Sequence, residues 1–142
     1  MDVFEQLRYF TRKENWGDTN KVNPMLLLLL DEVRHYVGYP FIIHNAYETS
    51  GHVENSQHYR GNAVDFHVQD MDFKTAANKI LNSLTKTKFA DMSMIQFCGI
   101  GIYPDWNNPG FHIDLRGYNA SWGHLHGDWV SFEKAYESIQ TG

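Results

Sequence analysis

The stretch from Pro24 to Val37 constrains the fold more than any other. It carries five consecutive leucines, Leu26 to Leu30, between an Asn23 and Pro24 pair and a Gly38 with Pro40 close behind. Asn caps a helix by accepting a backbone N–H, proline at the first helical position has no N–H to lose, and glycine beyond the end takes the left-handed turn that closes it. The pattern predicts a helix over 24–37. Its apolar positions run almost all the way round, so it has to be buried on more than one side. Met25 to Leu30 falls far short of the roughly 20 apolar residues that cross a bilayer, and no membrane span is expected. At 142 residues the chain supplies one core for such a helix, and we expect a single domain over 1–142.

The periodicity elsewhere says what surrounds that helix. Phe41 to His44, a short apolar and β-branched run after Pro40, reads as a strand, and Asn45 to Gln57, polar and without period, reads as a loop. Ala63 to Val68 alternates, with Ala63, Asp65 and His67 on one face and Val64, Phe66 and Val68 on the other. Asp70 or Asp72 caps a second helix whose apolar residues Phe73, Ala76, Ala77, Ile80, Leu81 and Leu84 follow helical spacing. Two apolar segments, Met92 to Phe97 and Ile100 to Tyr103, precede a Pro- and Asn-rich turn over 104–110 and a strand from Phe111 to Arg116. His112, Asp114 and Arg116 share one face of that strand. Ser131 caps a last helix carrying Phe132, Ala135, Tyr136 and Ile139. Helices and strands in this order give an α+β fold, which leaves chemistry to the loops and the polar strand faces.

A net charge of −5 provides no basic field to displace counterions, so nucleic acid is not an expected partner. The single Cys98 lies in an apolar stretch, where a buried, inert thiol is the ordinary state. Met1 to Phe10 lacks the basic start, apolar run and small-residue cleavage site of a signal peptide, and we expect synthesis in the cytoplasm.

The densest chemical signal is Ser56-Gln57-His58-Tyr59-Arg60-Gly61-Asn62-Ala63-Val64-Asp65. A neutral imidazole and a carboxylate suit a zinc ion, and Gly61 lets the backbone turn so that the two converge. For an arbitrary His and Asp at this separation, a turn-capping imidazole and a backbone-bonded carboxylate are the commoner state. Gly110-Phe111-His112-Ile113-Asp114 adds a second His and carboxylate, two apart on one strand face. A catalytic zinc site uses three protein ligands and one open position, which His58, Asp65 and His112 fill. His124 and His126 either supply a ligand or an oxyanion donor, or lie in a solvated loop over Trp122 and Trp129. His35 and His44 read as structural histidines, whereas His52 and His67 lie close enough to the pair in sequence to be neighbours of the ligands.

These elements, with Gly99-Ile100-Gly101-Ile102-Tyr103-Pro104 before the second, resemble the peptidase M15 family of D-Ala-D-Ala carboxypeptidases and phage endolysins. That family's motif, Ser-x-His-x-x-Gly-x-Ala-x-Asp with a later ligand His, is matched at Ser56, His58, Gly61, Ala63 and Asp65. The loop from Gly51 to Tyr59 resembles the hedgehog signalling domain, which shares the same zinc fold. The resemblance covers 23–122. It implies a small antiparallel sheet flanked by helices, Zn2+ held by His58, Asp65 and His112, and a peptide of bacterial peptidoglycan as substrate.

Many members carry an Arg after the Tyr of a Gly-Tyr-Arg segment, where it grips the substrate carboxylate; here Glu48 follows Tyr47. A carboxypeptidase reading a free C-terminus needs that charge, so an endopeptidase cutting within a crosslink or stem peptide is expected. Several members place a catalytic acid or base three residues before the last ligand, where Pro109 stands. Asp114 is the substitute by position, either as proton acceptor or as a partner that orients a ligand His. Arg60 and Arg116 are the candidate grips for a substrate carboxylate. With no export signal, a wall-cutting enzyme would be released as a phage or viral lysis enzyme is. The rival is a zinc-stabilised module that docks a peptide or protein without cutting it. A metal-free scaffold is disfavoured, because each unpaired buried polar group costs about 1–3 kcal/mol.

Overall fold

The computed structural model describes residues 2–86, 88–89 and 92–139, so Met1 of the N-terminal stretch lies outside the described residues. In chain order it places α1 (Pro24–Val37), β1 (Phe41–Asn45), β2 (Ala63–Val68), α2 (Phe73–Lys86), β3 (Lys88–Phe89), β4 (Met92–Ser93), β5 (Gly99–Tyr103), β6 (Gly110–Asp114), β7 (Ala120–Leu125), β8 (Asp128–Val130) and α3 (Phe132–Glu137).

The helices start and stop where their caps dictate. The Asn23 side chain accepts the Met25 N–H, and Gly38, at φ +83, donates its N–H to the Arg34 carbonyl. Leu26, Leu27, Leu29, Leu30, Val33 and Val37 of α1 are all buried, so the many-sided burial expected of this helix is present. Asp72 rather than Asp70 caps α2, its Oδ2 accepting from the Thr75 N–H and hydroxyl. Ser131 Oγ accepts the Lys134 N–H at the start of α3.

Among the described residues six strands form one sheet in the order β1-β2-β6-β5-β7-β8, while β3 and β4 pair antiparallel in a separate two-stranded sheet. The fold is α+β with a mostly antiparallel sheet, and one pair, β5 with β7, runs parallel. Three expectations are corrected. Met92 to Phe97 is not one extended segment but a two-residue strand followed by a 3₁₀ turn, Met94–Phe97. The segment holding Trp122 and His124 is strand β7, not a loop. The strand from Phe111 starts at Gly110 and ends at Asp114, before Arg116.

Register decides which side chains meet. Asp65 pairs with His112 and Ala63 with Asp114 across β2 and β6. Gly101 pairs with His112 and Gly99 with Asp114 across β5 and β6, and Trp122 pairs with Gly101. Alternation then puts Val64, Phe66, Ile100, Ile102, Phe111 and Ile113 together on the opposite face. That apolar face is the one the helices cover. Phe73 of α2 lies 4.8 Å from the Phe111 ring, and a side chain at Gly123 of β7 would strike Ala135 of α3. Among the described residues the α-helices pack on that apolar face, and the polar face opens into a cleft. No helix among the described residues is long and apolar enough to cross a membrane.

Candidate metal centre

His58 is delivered by a 3₁₀ turn, Gln57–Arg60. Ser56 Oγ opens the turn by accepting the His58 N–H at 3.1 Å, and Gly61 closes it at φ +72. Only glycine fits there, because a Cβ would lie 1.8 Å from the Lys21 carbonyl oxygen. The Gly61 carbonyl accepts the Asn23 N–H, which ties the turn to the start of α1. Asp65 and His112 reach the same point from adjacent strands.

Asp65 is the hub. Its Oδ1 lies 2.9 Å from His112 Nδ1, and its Oδ2 lies 3.2 Å from His58 Nε2. His58 Nδ1–H donates to the Ala46 carbonyl at 2.7 Å, which leaves Nε2 as the nitrogen with the lone pair. That Nε2 is buried without a hydrogen-bond partner. His112 Nε2 meets Asp114 Oδ2 at 2.7 Å. Burial disfavours charge on His112, but its bonds to Asp114 and Asp65 outweigh burial, and its pKa is pushed up to about 8. Burial raises the Asp65 carboxyl, yet its bond to His112 pulls it well below the usual carboxylate range. A buried carboxylate that faces the unpartnered His58 Nε2 across 3.2 Å, with no proton between them, is an arrangement that a cation completes. Its two nitrogens and carboxylate oxygens are the donors a divalent ion such as zinc accepts, so the residues fit the metal.

The Asp114 carboxylate is fully buried and fully used. Oδ1 accepts from the Gly99 N–H and Arg116 Nε, and Oδ2 accepts from Arg116 Nη2 besides meeting His112. Burial raises its pKa, but Arg116 and His112 bring it down to about 2. Four contacts take up its four lone pairs and leave none facing water, and Oδ2 holds His112 by the ring nitrogen opposite Asp65. Arg116, expected to grip substrate, is committed to Asp114 and stacks over Trp122 at 4.7 Å. Arg60 is exposed and lines the cleft.

His52, read from sequence only as a neighbour, is closer than that. Its ring stacks on His58 with centroids 4.1 Å apart and 12° between planes. The ligand atoms of His52, His58 and Asp65 lie within 4.8 Å of one another, a group that could hold a metal, and His112 joins it through Asp65. Tyr59 fixes His52, its hydroxyl accepting the His52 N–H and donating to the His52 carbonyl, both at 2.8 Å. The available signal was the spacing of six residues to His58 in a loop that then turns back. His124 packs on Trp129, and His126 is exposed beside Asp105, so neither joins the group. His67 pairs with His44, Nδ1 to Nε2 at 2.7 Å, away from the ligand atoms. A bulge in β1 between Ile43 and Asn45 accompanies that pairing.

A model of the family described as Peptidase M15 matches residues 5–100, well over half of the chain. The chain belongs to the peptidase M15 family. The match spans the His58 to Asp65 motif and stops before β6, so within this M15 chain His112 and Asp114 are read from geometry. Among solved structures it is similar to the L-Ala D-Glu endopeptidase ChiX of Serratia marcescens, with a TM-score of 0.45 and 17% identity over 68% of this chain and 81% of that one. No curated protein matches the chain in sequence.

Proposed function

We propose that the protein is a zinc-dependent peptidase that hydrolyses peptide bonds of bacterial peptidoglycan, within a stem or crosslink peptide rather than at a free C-terminus. The observation that carries the reading is the convergence of His58 Nε2, the Asp65 carboxylate and His112 Nδ1 on the floor of an open cleft in a peptidase M15 chain. His58, Asp65 and His112 would hold the ion. When bound, zinc supplies Lewis acidity that acidifies water and polarises a peptide carbonyl.

The chain's own groups prepare the site. The Ala46 carbonyl turns the His58 lone pair inward, and Asp114, braced by Arg116 and Gly99, does the same for His112 through the opposite ring nitrogen. His52, half-buried and lining the cleft, is the ring placed to hydrogen-bond water or substrate beside the ligands. With Asp65 and Asp114 engaged, Glu54 is the remaining carboxylate on the cleft wall. The commitment of Arg116 to Asp114 leaves Arg60 as the cleft's other guanidinium, at its exposed rim. No buried grip for a chain-terminal carboxylate remains among these residues, which supports internal cleavage.

The rival, a zinc-stabilised binding module, draws support from the full engagement of Asp114. Peptide release from purified peptidoglycan separates the two. Zinc-loaded protein is expected to release fragments with new amino termini, and Asp65→Ala to lower the rate more than about a thousandfold. Stoichiometric zinc with no release from walls of several chemotypes would favour the binding module.

A further inference from the structure

One wall of the cleft consists of rings that the metal centre does not use. Tyr103 and Trp106 lie parallel, with centroids 4.3 Å apart and 12° between planes. Trp129 stands at 81° to Tyr103, 6.3 Å away, and His124 packs against it at 4.7 Å. The result is an aromatic corner. It is held from behind, since Trp122 Nε1 donates to the Tyr103 hydroxyl at 2.8 Å and the His44 ring lies 5.2 Å from that of Trp106. Trp129 itself is 61% exposed, on β8 at the edge of the sheet. An indole that exposed, continuous with three other rings in a cleft that also holds the metal ligands, marks a surface shaped for a ligand.

The chemistry of peptidoglycan selects the occupant. The stem peptide offers methyl groups, carboxylates and the ammonium of a diamino acid, none of which has a broad flat apolar face. The N-acetylated hexosamines that bear the stem do have one, because the ring C–H bonds of a pyranose present a flat apolar side while its hydroxyl and acetamido groups point outward. Asp105, in the turn between Tyr103 and Trp106, is exposed, and with its Oδ2 accepting the His126 N–H it is Oδ1 that can accept from such hydroxyls at the rim. The net charge of −5 disfavours an anionic polymer in the same place. At about 1270 Å³ the cleft exceeds the several hundred Å3 typical of a site for one small ligand, so a sugar has room beside a peptide.

We propose that Trp129, with Tyr103 and Trp106, forms a subsite that stacks a pyranose ring of the glycan strand, so that the protein acts on stem peptides still joined to their sugar. This rests on the peptidoglycan reading above.

The test compares kcat/KM on a disaccharide-linked stem peptide and on the same peptide stripped of sugar, for the zinc-loaded wild type, Trp129→Ala and Trp129→Phe. In parallel, binding of the tetrasaccharide of N-acetylglucosamine is titrated by calorimetry. Trp129→Ala is expected to lose about tenfold on the sugar-bearing substrate and to stay within about twofold on the stripped one, with Trp129→Phe recovering part of the loss. Equal loss on both substrates would overturn the proposal, because the rings would then hold the peptide, and so would no loss on either. If the wild type cleaves neither substrate, the peptidase reading fails and the titration decides the subsite alone. Saturable binding abolished by Trp129→Ala upholds the subsite, and absence of binding removes it.

Discussion

The two faces of the six-stranded sheet are built from the same strands and obey opposite rules. In β6 alone, Phe111 and Ile113 point into the helix-covered core while His112 and Asp114 point into the cleft. The apolar face is redundant. Its burial is spread over Val64, Phe66, Ile100, Ile102 and the leucines of α1, and no single pair decides it. The cleft face has no redundancy. His58 has one carbonyl to orient it, His112 one carboxylate on each nitrogen, and Asp114 one guanidinium to brace it. A lesion on the first face should therefore subtract stability and spare chemistry, and a lesion on the second should do the reverse.

Leu29, wholly buried in α1, gives the largest expected effect. Leu29→Ala should cost about 2–5 kcal/mol of unfolding free energy, measured by denaturant titration, while the folded fraction retains wild-type zinc affinity. Loss of zinc affinity at matched folding would break the contrast. Asp114→Asn should do less to stability and more to chemistry. It keeps the shape but presents an amide N–H2 to groups that now donate to a carboxylate, Gly99 N–H and Arg116 among them. Zinc affinity, measured against a competing chelator, should fall about 10–100-fold. An unchanged affinity would mean that Asp114 orients nothing, and would return it to candidacy as a proton acceptor.

The same contrast explains what was legible in the sequence. Local signals read well. Asn23, Gly38, Asp72 and Ser131 cap helices through bonds within four residues, and the alternation of 63–68 reports which side faces the core. That His58, Asp65 and His112 come together was expected from the spacing and the motif they resemble, and in the structure Gly61 and the pairing of β2 with β6 bring them to one point. What the sequence hid is non-local. Strand β7 pairs in parallel with β5 across a 16-residue gap, and the run containing Trp122, Gly123 and His124 has a glycine-flanked, polar composition that reads as a loop. The engagement of Arg116 was hidden for a related reason. Its partner sits two residues away on the same face, but only Gly99, lacking a Cβ that would lie 2.5 Å from Arg116 Nε, makes room for the pair. His52 reads as an ordinary loop histidine until Tyr59 is seen to pin it over His58.

If the cleft face carries one metal centre, His58, Asp65 and His112 assemble it. Calorimetric titration of zinc into chelator-treated protein, for the wild type and His58→Ala, tests it most directly. We expect one equivalent bound by the wild type and loss of that site in His58→Ala, with both proteins folded to the same extent. An undiminished site in His58→Ala, or no binding to the wild type, would contradict it.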